Sequence, residues 1–214
     1  MENRPSNKPE GDLGPKSDKE VYQGIGAFIF EVVKIVFLAF LIFAPIRFFI
    51  FQPFFVQGAS MEPNFENSEY LIINELGYKA IAIGGENKLV NLGPFKKLER
   101  GLPVVFRYPK NRSQYFIKRV IGLPGEKVEV KNKQVRIYNS KNPEGFILDE
   151  SNYLSSSVET LGDLTLALGK DEYFMMGDNR MFSSDSRSWG AVKEGDIIGT
   201  VLFRAWPLNR LEIF

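Results

Sequence analysis

The sequence predicts a mainly β fold: an antiparallel, barrel-like β domain preceded by one N-terminal transmembrane helix. Three observations carry this. The one long apolar stretch lies near the N-terminus. From Gln52 onward, short apolar or alternating runs recur between turn signals. No long amphipathic helix follows the apolar stretch, so βαβ alternation and a parallel sheet are not expected.

Residues 1–27 are the first segment. Met1–Glu20 is polar, with prolines, glycines and charges of both signs, which is the composition of a flexible tail.

Residues 28–51 are the second segment. The uninterrupted part, Ile35–Ile46, rises roughly 18 Å as a helix, short of a hydrocarbon core of roughly 30 Å. Extension from Ile29 to Ile50 gives enough length. Glu31, Lys34 and Arg47 then lie toward the ends, where long side chains reach the headgroups. A buried core helix is one alternative reading of the same run; a cleaved signal peptide is another, disfavoured by the long polar region ahead of it. Lys16, Lys19 and Lys34 lie on its N-terminal side, and only Arg47 lies close on the other. The positive-inside rule then puts the N-terminus in the cytoplasm and the rest outside.

Residues 52–214 are the third segment, the β domain. Its strand-like runs are Tyr70–Ile73, Val104–Tyr108, Tyr115–Ile121, Lys127–Val130, Gln134–Tyr138, Tyr173–Met176 and Ile197–Phe203. Leu123-Pro124-Gly125 and Lys131-Asn132-Lys133 are among the turns between them. Lys79–Glu99 has weak periodicity and several glycines, and reads as an excursion from the sheet.

Composition excludes whole classes of chemistry. The 214 residues carry a net charge of +1, which gives no reason to expect a nucleic-acid partner. Cysteine is absent, so disulfides, thiol nucleophiles and thiolate-held metals are excluded. Histidine is absent too, which rules out a Ser-His-Asp triad and a His-ligated zinc. A hydrolytic base must therefore be Asp, Glu, Lys or Tyr. Nothing in the sequence points to a metal or an organic cofactor.

Three segments can carry chemistry. In Gly58-Ala59-Ser60-Met61-Glu62-Pro63, small residues before Ser60 let other chains approach its hydroxyl, and Pro63 stiffens the turn. Alone, this is also how a polar loop serine reads. In Tyr115–Gly125, a strand places Lys118 on one face with Phe116 and Val120, and Arg119 on the other with Ile117 and Ile121. A central strand does not bury two cations without partners, whereas an edge strand lets both reach water. A buried lysine has a lowered pKa and can act as a base near neutrality. The third segment, Met176-Gly177-Asp178-Asn179-Arg180 and Ser183–Gly190, is dense in turn-forming and charged residues, and its Asp/Arg spacing suits loop-pinning pairs.

Together these segments resemble type I signal peptidases, the bacterial leader peptidase family that works with a Ser/Lys dyad. The serine box reads G-A-S-M-E-P-N-F, the lysine box I-K-R-V-I-G-L-P-G-E, and the third box M-G-D-N-R-M-F-S-S-D-S-R-S-W-G. They stand in the family's order behind an anchor, and the resemblance runs from about Phe54 to Asn209. It implies Ser60 as nucleophile, Lys118 as general base and Ser183 as the residue that orients the lysine. It makes Asp178 the partner of Arg119, and Asp185 and Arg187 scaffold supports. The Ser60 amide is the expected oxyanion donor; Gly58 stands where some members carry a serine hydroxyl.

The substrates implied are signal peptides of exported preproteins, with small residues at the first and third positions before the cut. Phe54, Val56, Gly58, Met61, Phe65, Leu71, Val105, Phe116 and Ile117 match the family's pocket-lining segments. The resemblance also implies a lipid-bilayer partner, with the catalytic domain on the outer side of the bacterial cell membrane. A neutral Lys118 is expected from burial, helped by repulsion from Arg119. Two other readings compete. Soluble repressor autoproteases also use Ser/Lys, but need a DNA-binding helix-turn-helix where this chain has its apolar run. A tethered, non-enzymatic β domain would have no use for Ser60 and Lys118.

Overall fold

The computed structural model describes residues 18–49, 51–78, 81–83 and 90–214. Most of the tail reading, and positions 79–80 and 84–89 of the expected excursion, fall outside the described residues. The chain divides into two compact units, residues 1–45 and 46–214.

Helix α1 covers Asp18–Phe49. Its stretch Ile25–Ala44 is 20 residues long, has a mean hydropathy of 2.5, and is 0% buried by the rest of the protein. At about 1.5 Å per residue this matches a hydrocarbon core. The helix reaches back well before Phe28, because no proline falls between Asp18 and Phe28. At the other end Phe51, read as the last residue of the apolar segment, opens the first strand.

The second unit contains strands β1 (Phe51–Phe55), β2 (Tyr70–Asn74), β3 (Ile81–Ile83), β4 (Val90–Leu92), β5 (Pro103–Tyr108), β6 (Asn111–Gly122) and β7 (Lys127–Lys131). These are followed by β8 (Gln134–Asn139), β9 (Asn142–Ile147), β10 (Leu164–Ala167), β11 (Glu172–Met176), β12 (Val192–Lys193), β13 (Ile197–Trp206) and β14 (Glu212–Ile213). One helical turn, α2 (Ser186–Trp189), precedes β12. The main sheet runs β1-β2-β13-β5-β6-β11-β12, with β14 on β13; a second sheet runs β10-β7-β8-β9, and β3 pairs with β4. Neighbouring strands are antiparallel, for example β5 on β6 and β7 on β8. All seven runs read from the sequence are strands.

Two of the strands not read from the sequence, β1 and β9, have local reasons. β1 is the continuation of an apolar run, so periodicity does not separate it from the helix. β9 begins Asn142-Pro143 and contains Gly145, which looks like a turn. It is an edge strand, where proline's missing N–H does no harm. Gly145 has φ +74, and a Cβ there would come within 2.6 Å of the Tyr138 ring, so the glycine lets that ring lie flat on the strand.

Two apolar clusters bracket the part of the main sheet that matters for function. One contains Val56, Met61, Phe65, Leu71, Ile73 and Val105, with Phe54 and Ile117 packed on it. The other contains Val104, Phe106, Val120 and Met175, with Phe116 packed on it. Between them runs β6, paired with β5 over Asn111–Arg119 and with β11 from Arg119 to Gly122. From Arg119 onward β6 is thus central, while Lys118 is paired on the β5 side alone; at 3% and 7% exposed neither Lys118 nor Arg119 reaches water, so the exposed-edge alternative fails on burial.

Candidate active site

Ser60 stands just beyond the end of β1. Pairing with the chain before β2 continues through Val56, whose amide donates to Glu69 O at 2.9 Å. Gly58 then turns the chain at φ +92, with its amide on Asn67 Oδ1 at 2.9 Å. Helical turns follow, with Glu62 N on Ala59 O and Phe65 N on Met61 O, so Ser60 opens a tight, fixed turn. The Ser60 amide donates to nothing among the described residues and is free to meet an oxyanion.

Lys118 reaches this turn from β6. Its Nζ donates to Ser60 Oγ at 2.6 Å and to Ile117 O at 2.9 Å, and it lies 5.4 Å from the Phe116 ring centre. The side chain is only 3% exposed. Burial lowers its pKa to about 8, against the pull of the Asp185 and Asp178 carboxylates, which raise it. The expected repulsion from Arg119 plays no part. Arg119 donates from Nε to Asp178 Oδ1 at 2.8 Å and from Nη2 to Asp178 Oδ2 at 2.5 Å, so a bidentate partner neutralises its charge.

The third segment braces both. Asn179 donates from its amide to Ser60 O at 3.1 Å and from its side chain to Ala59 O at 3.0 Å. Asn64 donates to Asp178 Oδ2 at 2.8 Å and to Tyr153 O at 2.7 Å, tying the serine turn to the Arg119 partner. Asp185 accepts from the Gly177 amide at 3.1 Å and from Arg187 Nε and Nη2 at 2.8 Å each. Burial opposes its ionisation, but the Arg187 guanidinium, the Gly177 amide and the Ser183 hydroxyl together outweigh it and hold Asp185 below the ordinary carboxylate range. Arg187 Nη2 also donates to Arg180 O at 2.8 Å.

Ser183 is close to the site and acts on the Asp185 carboxylate, which its hydroxyl helps to keep ionised, rather than on Lys118. Its buried Oγ makes no hydrogen bond to Lys118. It crowds Gly177, where an added Cβ would lie 2.2 Å from Ser183 Oγ and 2.3 Å from Ser60 O. No side chain fits at 177, which makes this glycine part of the site's construction.

A cleft of about 680 Å³ opens over Ser60 and Lys118. Seven of the nine expected pocket residues line it: Phe54, Val56, Gly58, Leu71, Val105, Phe116 and Ile117. Met61 and Phe65 do not. At 1% and 0% exposed they face inward from the serine turn and fill the core beneath it. Sequence reasoning missed Tyr115 and Phe182, which line the cleft and are 46% and 78% exposed. It also missed three supporting ion pairs, Arg180–Glu150, Arg100–Glu126 and Arg204–Glu69. On the side facing β11, Gln114–Lys118 of β6 has no strand partner among the described residues, which leaves a backbone edge along the cleft.

With no histidine in the chain, a lysine amine against a serine hydroxyl makes acyl transfer through serine the available chemistry, and the protein falls among the serine hydrolases. Comparison with known proteins narrows the class. The family model described as signal peptidase, peptidase S26, matches residues 29–206, and the chain belongs to that family of serine peptidases. It is 33% identical over 195 residues to signal peptidase IB of Staphylococcus aureus, covering 86% of this chain and 93% of that protein. It is 33% identical over 181 residues to signal peptidase I of Bacillus caldolyticus, covering 81% and 90%. A crystal structure of a signal peptidase I from Enterococcus faecalis matches with a TM-score of 0.40 and 32% identity, covering 49% of this chain and 97% of that one.

Proposed function

We propose that this serine peptidase removes N-terminal signal peptides from exported preproteins, with Ser60 as nucleophile and Lys118 as general base. The observation that carries the reading is the 2.6 Å contact between Ser60 Oγ and the amine of a lysine only 3% exposed. With a pKa of about 8, roughly a tenth of Lys118 is neutral at pH 7. The neutral amine accepts the Ser60 proton as Oγ attacks the scissile carbonyl. The oxyanion forms at the Ser60 amide. The resulting ammonium protonates the departing amine, and water then resolves the acyl-enzyme by the same steps. In this reading Ser183 turns its hydroxyl to Nζ and orients it, while Asp185 and Arg187 hold the Gly177 backbone.

The substrate adds as a strand along the free edge of β6. Side chains before the cut meet Val56, Leu71, Val105, Phe116 and Ile117, an apolar lining that accepts alanine and rejects bulk or charge. Helix α1 spans the bacterial cell membrane with the N-terminus in the cytoplasm, which holds residues 52–214 on the outer side.

The test is cleavage of a preprotein by the purified full chain. Ser60→Ala and Lys118→Ala should each abolish it, and the double variant should lose little more, because the two groups act as a unit. Phe in place of Ala next to the cut should block turnover. Substantial turnover by Lys118→Ala, or equal rates for Ala and Phe, removes the reading.

A further inference from the structure

A second cavity, of about 520 Å³, lies beside the catalytic cleft. Two chain segments pass from one to the other. Gly58, Ala59 and Ser60 line the cleft, while Glu62 and Pro63 line the cavity. On the opposing segment, Phe182 and Ser184 line the cleft, and Asp178 to Met181 line the cavity. The segments are tied where they cross, by the two hydrogen bonds from Asn179 to Ser60 O and Ala59 O. The cavity therefore begins one step beyond the nucleophile.

Its walls have a definite chemistry. Leu154, Val158 and Met181 supply apolar surface, with Val158 38% and Met181 64% exposed. Most of its charges already have partners: Asp178 pairs with Arg119, Arg180 with Glu150, and Glu159 with Lys133. Glu62 makes no ion pair and no side-chain hydrogen bond among the described residues. The cavity thus presents apolar surface and one uncompensated carboxylate.

We infer that this cavity binds the first residues of the substrate after the cut, and favours apolar or basic side chains there over acidic ones. The inference rests on the peptidase reading above. A peptide with its scissile carbonyl at Ser60 Oγ leaves the cleft past Ser60. In extended form it advances roughly 3.3 Å per residue, so its first two or three residues after the cut reach the cavity. An apolar side chain there covers Val158 and Met181, and the flexible methionine adapts to different shapes. A carboxylate meets Glu62 and loses water without gaining a partner.

The experiment uses the full chain in detergent micelles. The peptides are identical up to the cut and carry Leu, Lys or Asp at the second position after it. Wild type should show kcat/KM about tenfold higher for Leu and Lys than for Asp, the span expected when burial of one side chain competes with an unpaired charge. Glu62→Gln should narrow the gap by raising the Asp peptide. Val158→Lys should make Asp the better substrate than Lys. Ratios between substrates do not respond to partial loss of folded enzyme, so an unstable variant still reports. Equal rates for all three peptides on wild type, or ratios unmoved by both variants, overturn the inference and leave the peptidase reading standing. No cleavage of any peptide by wild type removes the peptidase reading itself, and this one with it.

Discussion

Replacing Lys118 with methionine removes the amine and keeps most of the side chain's volume. In the fold Lys118 has a pKa of about 8, lowered first by burial. In the unfolded chain a lysine titrates near ~10.4. Below pH 8 the fold must hold an ammonium that water would solvate better, and the penalty is present in full. From pH 8 to about 10.4 the unfolded chain binds a proton that the fold has released, so stability rises with pH until the penalty is gone. The two pKa values set its size at roughly 3 kcal/mol. Methionine escapes it but forfeits the hydrogen bonds to Ser60 Oγ and Ile117 O, worth about 1 kcal/mol each. The variant should therefore be more stable than wild type by roughly 1 kcal/mol at pH 7, or about 2–4 °C in Tm. By pH 10 the order should reverse, because the neutral amine keeps both hydrogen bonds at little desolvation cost.

Melting of both proteins in micelles from pH 7 to pH 10 reads this directly. The two proteins share every other residue, so the change in their difference across this range reports Lys118. The same pKa sets the acid limb of kcat/KM, which should rise about tenfold between pH 7 and a plateau above pH 9. A stability difference that stays flat from pH 7 to 10, together with a limb near 10, would mean that Lys118 is solvated, and the base assignment would fall.

Asp185→Asn removes the carboxylate that most raises the Lys118 pKa, so the acid limb should move below 8. The same change leaves Arg187 short of its partner and should lower Tm; a limb that moves up would refute the sign. Arg119→Met strands the buried Asp178 carboxylate and should cost roughly 3–5 kcal/mol, while Arg119→Lys, which keeps the charge but not the fork, should fall between it and wild type in Tm. Identical melting of all three would show that the pair does not support the fold. For membrane topology, protease added to spheroplasts should digest the domain after Phe51 and spare the N-terminal tail; digestion of the tail with protection of the domain would invert the orientation.

The sequence made some of this site legible, and the limits have physical causes. Missing histidine and cysteine narrowed the base to four residue types, and three short boxes named Ser60, Lys118 and Asp178. Alternation marked the strands that have one buried face. It could not mark β1, where an apolar helix runs straight into a strand, or β9, whose edge position tolerates Pro143. Nor could it tell that Met61 and Phe65 point beneath the serine turn while Val56 and Leu71 face the cleft, because a tight turn has no fixed period. Ion pairs such as Arg180–Glu150 join residues far apart in the chain and leave no local signature.

The most instructive error concerns Arg119. Adjacent like charges suggest repulsion as the force that lowers the lysine pKa, but a free guanidinium beside Lys118 would add a second buried charge to the cost of one. Pairing Arg119 with Asp178 removes that cost and brings a carboxylate near enough to raise the Lys118 pKa instead. Desolvation must then do more than offset two carboxylates, Asp185 and Asp178, to reach a pKa of about 8. That requirement explains why Lys118 sits on β6 between two apolar clusters: packing on both faces of the sheet supplies the burial that holds a lysine near neutrality in sight of two negative charges.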